Sequence, residues 1–312
     1  MTRRRRLIHT AFLFLLPLIV AVFGFGVFTT ALLVIAMLLW RWMIVLASVV
    51  APAKAPAPEL ETIGISHFAE KVRWCMDRLG IEYTERRVAA VLGVFFTGRT
   101  VPKLRLQTGM VQSEIGNSAE ILRYLWGAYS AVLGDRAKFL EPTAERLEFE
   151  QTLDRYGRNL QVWAYNEALG DKELTLYIWG ANSPKTPAWQ KAALRVAFPV
   201  LVFLMRRAFR LSDERAAKVT GHIEELLSDI DTRLADGRGS ILGGQDINYT
   251  DIVYAALSAL WLQPEQFALG KCADVSLTQD RFPGKMREDT ARWREDYPRA
   301  IEFVQRLYTE ER

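Results

Sequence analysis

Side chains that hold metals or carry redox chemistry are scarce here: 312 residues contain two cysteines and three histidines. Cys75 and Cys272 stand far apart, without CxxC or Cys/His spacing, so neither a zinc site nor a disulfide framework is indicated. Acids are missing altogether from residues 1–58, which hold six cations: Arg3, Arg4, Arg5, Arg6, Arg41 and Lys54. The rest of the chain carries 34 cations against 36 acids, so the net charge of +4 is a property of one end. Basic charge confined beside an apolar run points to membrane orientation and away from a nucleic-acid surface. With 50% hydrophobic and 24% charged residues, the remainder has ample material for a packed core.

From Leu7 to Trp40 no Asp, Glu, Lys or Arg occurs. As one helix this run would be about 50 Å long, against a hydrocarbon thickness of about 30 Å. The segment GFGVFTT (24–30) interrupts it with two glycines and two threonines, so a helical hairpin of two spans, 7–24 and 30–49, is expected within an anchor of residues 1–50. Arg41 opposes that reading, although Trp40 and Trp42 beside it suggest an interfacial belt that would end the second span near 41. Two spans would keep Arg3–Arg6 and the main body on the cytosolic side of a bacterial inner membrane, whereas one span would put the body outside. A cleaved signal peptide is disfavoured because its apolar core would be far shorter. Residues 51–58, APAKAPAP, form an extended spacer and mark a boundary.

The next stretch, 59–127, alternates. ETIGIS suggests a strand, and HFAEKVRWCMDRLG a helix with Phe68, Val72, Cys75, Met76 and Leu79 on one face, ending at Gly80. IEYTERRV suggests a second strand, AAVLGVFFTGR is irregular, TVPKLRLQ and MVQSEI form a hairpin, and NSAEILRYLW opens a helix. Residues 128–312 are helical, with amphipathic segments such as AERLEFEQTLDRYGRNLQVWAYNEAL. Asn248, three residues before Asp251, forms a capping arrangement ahead of an apolar helix. The fold class is therefore a βαβ–ββα thioredoxin-like domain followed by an all-helical domain, preceded by the transmembrane segment.

The runs S-H-F-A-E-K-V-R-W, T-V-P-K-L and I-G-N-S-A-E-I-L-R-Y-L resemble the N-terminal domain of the glutathione transferase superfamily, and the likeness extends over roughly 60–312. It implies glutathione as co-substrate, with Ser66 as the catalytic hydroxyl aimed at the thiol sulfur. It also implies a cis bond at Val101-Pro102, with Val101 binding the cysteinyl part through its backbone, and Asn117-Ser118 holding the γ-glutamyl group at a helix start. The departures carry as much weight. Asn117 stands where the family has Glu or Asp, and no thiol is present at Ser66 or Ala69, which disfavours thiol–disulfide exchange. Cys75 is read as core, and His67 as a first-turn neighbour of Ser66 and not its base.

Two functions stay open at this point. One is glutathione conjugation to an apolar electrophile, or reduction of a lipid peroxide, at the membrane; the other is a non-catalytic interaction module, and a homodimer is possible for either. Trp163, Tyr165 and Trp179 are read as core, with an apolar pocket as the alternative. VAFPVLVFLMRRAFR (196–210) is too short to span, and is either a buried helix kinked at Pro199 or an interfacial helix on the bilayer.

Overall fold

A computed structural model describes residues 3–50, 57–89, 101–108 and 111–312. Most of the spacer, most of AAVLGVFFTGR and the tip of the hairpin at 109–110 lie outside the described residues. Two compact units are present: residues 1–57 with 106–113, and residues 58–105 with 114–312.

The first unit contains α1 (Arg3–Val50), whose backbone leaves the helical region at Gly26 (φ 77°, ψ 162°). A residue without Cβ adopts that conformation at little steric cost. The break falls inside GFGVFTT, and Thr30 Oγ1 donates to the Gly26 carbonyl at 2.8 Å. Ile19–Leu46 is long and apolar enough to cross a bilayer. Most of its side chains are exposed, Phe23 being 87% and Phe28 78%, while Thr30 is buried.

The strands and first helix run β1 (Ala57–Thr62), α2 (His67–Leu79), β2 (Thr84–Arg87), β3 (Lys103–Thr108) and β4 (Val111–Gly116), all in the second unit except Ala57 and the hairpin residues 106–113. Sheet order is β2-β1-β3-β4. The pair β1/β2 is parallel, with Glu59 opposite Thr84 and Thr62 opposite Arg87, as a βαβ crossover requires. The first strand lies earlier than ETIGIS predicts. Gly64 and Ile65 form a turn closed by Ser66 N–H on the Ile63 carbonyl at 2.9 Å, and this turn converts the expected end of the strand into the start of a helix.

Helix α3 (Ser118–Leu133) leaves the sheet, and α4 (Ala144–Ala168), α5 (Lys172–Ile178), α6 (Ala188–Phe209), α7 (Asp213–Arg233), α8 (Tyr249–Leu262), α9 (Gly284–Asp296) and α10 (Pro298–Glu310) follow. These helices and most of the sheet belong to the second unit. α8 is the core rod, packed against α2, α4 and α10. Its sequence YTDIVYAALSALWL is apolar on every side, which suits burial on every side. The capping box at its start forms as expected. Asp251, fully buried, accepts from Ser240 Oγ at 2.7 Å, Ile241 N at 2.8 Å and Asn248 N at 2.8 Å. Burial pushes its carboxyl up, against these hydrogen bonds.

Helix α2 departs from simple amphipathicity. Its polar residues Glu70, Lys71 and Arg73 are as buried as its apolar ones. Each has a charged partner: Lys71 Nζ donates to Asp154 at 3.1 Å, Arg73 to Glu85 at 2.6 Å, and Arg312 Nε to Glu70 at 2.9 Å. A buried charge persists only when paired and hydrogen-bonded.

Candidate functional site

Ser66 is the N-cap of α2, with φ −67° and ψ 113°, and its Oγ accepts from the Ala69 N–H at 3.2 Å. A hydroxyl carries one donor and two acceptor positions, so capping leaves its hydrogen free. Among the described residues no acceptor takes that hydrogen. Because the helix N-terminus also carries partial positive charge, the position favours an anion in front of it.

Ser66 opens on a small, largely apolar cavity with about 90 Å3 of free interior. One wall is the β1–α2 turn, with Ile63, Ile65, Ser66 and His67; the others are Gln161, Ala164 and Tyr165 of α4, Leu174 and Ile178 of α5, Trp179, and the Leu277–Met286 stretch. Tyr165 and Trp179 therefore line the pocket, the alternative to their reading as core, although Trp179 also packs with Leu194 and Phe198. Removal from water pushes the Tyr165 hydroxyl up to about 12, so it is neutral at ordinary pH. Trp163 is core as expected: it is buried, and its Nε1 donates to Asp289 at 2.9 Å.

His67 lines the same cavity but faces away from acid–base work. Burial lowers its pKa to about 4, against the raising effect of its bond to the Gly157 carbonyl. It makes no hydrogen bond to Ser66. Cys75 is fully buried on the apolar face of α2, and burial pushes its thiol up to about 12. Such a thiol is not a nucleophile at neutral pH. Among the described residues no group of three or more His, Cys, Asp or Glu could hold a metal ion.

The second cluster lies on the neighbouring strands. Val101-Pro102 is cis and leads directly into β3. The hairpin sets the end of β4 beside the start of β3, a pairing marked by Lys103 Nζ to Glu114 at 2.6 Å and Arg105 Nε to Glu114 at 3.1 Å. Asn117-Ser118 follows β4 and starts α3, so both predicted pairs sit at one end of the hairpin. Asn117 is exposed and caps α3, accepting from Ala119 N–H at 3.3 Å with φ 70° and ψ 128°. Asparagine tolerates positive φ better than most residues, yet this conformation costs of order 1–3 kcal/mol. Ser118 is buried. None of these four residues lines the apolar cavity; Ser66 alone of the predicted set does.

No known family model matches the sequence, and no curated protein matches it. Among solved structures, a glutathione S-transferase from Methylobacterium radiotolerans, crystallised with glutathione sulfonate, is similar. It superposes with a TM-score of 0.50 over 81% of this chain and 91% of its own, at 16% identity. The chain has the glutathione S-transferase fold. A glutathione S-transferase from Methylobacillus flagellatus with glutathione bound covers 82% of this chain and 98% of its own at 13% identity and a TM-score of 0.45. FzlA from C. crescentus covers 82% and 89% at 14% identity and a TM-score of 0.45.

Within this transferase fold, the wall residues Gln161, Ala164 and Leu174 are not singled out by sequence motifs. Only a small residue, Ala164, in the otherwise bulky α4 pattern LQVWAYNEAL hints at a space beside it.

Proposed function

We propose that this protein binds glutathione at the β1–α2 turn and the β3/β4 end of the sheet, and joins it through its sulfur to an apolar electrophile held in the cavity. The observation that carries the reading is Ser66: a helix N-cap with an unspent O–H, at the rim of an apolar chamber. In the proposed step the Ser66 hydroxyl donates to the glutathione sulfur, the thiolate forms more readily, and it attacks the electrophile. The thiol proton passes to water, a new S–C bond replaces the bond to the leaving group, which departs with its electron pair, and Ser66 forms no covalent bond. Hydrogen bonding to the charged form is what lowers the thiol pKa. Val101 would supply backbone hydrogen bonds to the cysteinyl residue, and Asn117-Ser118 at the start of α3 would meet the γ-glutamyl carboxylate. The strained backbone at Asn117 supports a binding role, since such conformations concentrate where a ligand is gripped.

The same reading makes α1 a bacterial inner-membrane anchor, entering twice about the break at Gly26 and keeping the body cytosolic. Membrane-dissolved electrophiles or lipid peroxides then become natural substrates. A thioredoxin-like domain over 59–127 and a helical domain over 128–312 divide the labour between thiol and electrophile, and a homodimer is compatible with that division.

A non-catalytic module is favoured by one observation: Asn117 offers no charge to a γ-glutamyl ammonium. The test is retention of the full chain, in detergent, on immobilised glutathione, with calorimetry alongside. Retention and a heat of binding support the transferase; neither of them, with the fold intact, leaves the interaction module.

A further inference from the structure

Helix α6 is apolar on two opposite faces. Leu194, Phe198 and Leu201 are buried and join the core beside Trp179. Turned the other way, Val196 is 84%, Val200 60% and Phe203 64% exposed. These three recur at i, i+4 and i+7, one stripe along the helix, and the chain continues helically through Pro199. Surface leucines or valines standing singly need no explanation, but an aligned row does.

Charge on this helix has one sign. From Ala188 to Phe209 there is no acid, and Arg206 and Arg207 close the last turn, with Arg210 in the left-handed conformation just beyond. Among the described residues none of these three guanidinium groups is in an ion pair. Guanidinium groups at the end of such a stripe can reach headgroups while their stems cover hydrocarbon.

We propose that the outward face of α6 docks on an anionic lipid bilayer, with Val196, Val200 and Phe203 entering the interface and Arg206, Arg207 and Arg210 on lipid phosphates. A second copy is the poorer occupant, because it would bring another acid-free, cationic helix against the first; an anionic surface supplies the opposite sign.

The experiment places an environment-sensitive fluorophore at Phe203→Cys in the full chain, since Cys75 and Cys272 are buried, and reconstitutes it in phosphatidylcholine vesicles with and without phosphatidylglycerol. Val196→Cys gives a second label on the stripe, and Glu302→Cys on α10 is the exposed control. Quenching by brominated acyl chains at 203 and 196, several-fold above the control and dependent on phosphatidylglycerol, is the expected result. Replacing Arg206, Arg207 and Arg210 together by Gln should cut it by roughly fivefold or more. Labels that stay open to aqueous iodide overturn the inference. So do labels shielded from iodide yet unquenched by lipid, because a second copy then covers the face. Carbonate extraction of the same vesicles reads α1 separately: an extracted chain that is still quenched before extraction keeps the α6 inference and removes the anchor.

Discussion

His67 donates its Nε2 hydrogen to the Gly157 carbonyl oxygen, 3.2 Å away, tying the first turn of α2 to the middle of α4. The carbonyl can only accept, so the tautomer is fixed and Nε2 is not available as a base. At Gly157 a Cβ would come within 2.7 Å of Phe68 Cζ and 2.9 Å of Leu257, so a residue without one lets the two helices approach. The histidine beside the candidate hydroxyl thus locates Ser66 and does not activate it.

That placement makes stability depend on pH. The folded-state pKa of His67 is lowered to about 4 from 6.5, so between those values the unfolded chain binds a proton that the folded chain refuses. The contribution is complete above pH 6.5 and is lost as the pH falls towards 4, to roughly 3 kcal/mol in all. Denaturant midpoints at pH 7.5 and pH 4.5 should therefore differ less for His67→Gln than for the wild type. Equal differences would mean that the imidazole is not protonated on unfolding.

Ser66→Ala removes two interactions with different readouts. Losing the cap should cost about 1 kcal/mol of stability. Losing the O–H donor should raise the pKa of bound glutathione by about one to two units, the equivalent of one hydrogen bond to a charged group, with retention largely intact. Thiolate absorbance against pH measures it, and Ser66→Thr should restore much of the shift. An unshifted thiol clears Ser66 of a role in the chemistry.

Much of this arrangement is legible in the chain, and the illegible parts have causes. Gly80 at φ 71°, the Asn248–Asp251 box and the Ser66 cap are local, and local chemistry reads directly from residue types. The burial of Glu70, Lys71 and Arg73 does not, because their partners lie at Asp154, Glu85 and Arg312, and the periodicity of one helix cannot reveal what covers its polar face. The cavity is illegible for the same reason: its walls come from five separated segments, and a one-dimensional pattern leaves Tyr165 and Trp179 open between core and pocket. The double-faced α6 left two readings open in sequence, and both faces are present.

Asn117→Asp tests the site from the opposite direction, by gain. It places a carboxylate where a γ-glutamyl ammonium would lie, on an exposed side chain that already caps α3. An exposed pair contributes up to about 1 kcal/mol, so glutathione affinity should rise about two- to fivefold. The gain should fade at high salt. Calorimetry at two ionic strengths decides it, and unchanged affinity would locate the γ-glutamyl group elsewhere.

Asp251 is a structural carboxylate, and its removal should show in stability alone. Asp251→Ala strands Ser240 Oγ and the N–H groups of Ile241 and Asn248 in the core, at a cost of about 3 kcal/mol or more. Asp251→Asn retains the volume and one acceptor and should cost less. Thermal unfolding of both variants gives the order, and whatever remains folded should bind glutathione normally, because the box lies outside the cavity lining.

Ala164→Trp separates the two substrate positions. Ala164 sits on the α4 wall between Gln161 and Tyr165, and a side chain of indole size there would occupy the space an apolar molecule needs. Ser66 and the β3/β4 end lie on other walls or outside the cavity, so retention on glutathione should be unchanged. Binding of an apolar fluorescent probe should fall at least about tenfold, and any conjugation should fall through KM before kcat. Loss of both ligands together would mean that the cavity and the glutathione position are one pocket, with Ser66 inside it and not at its rim.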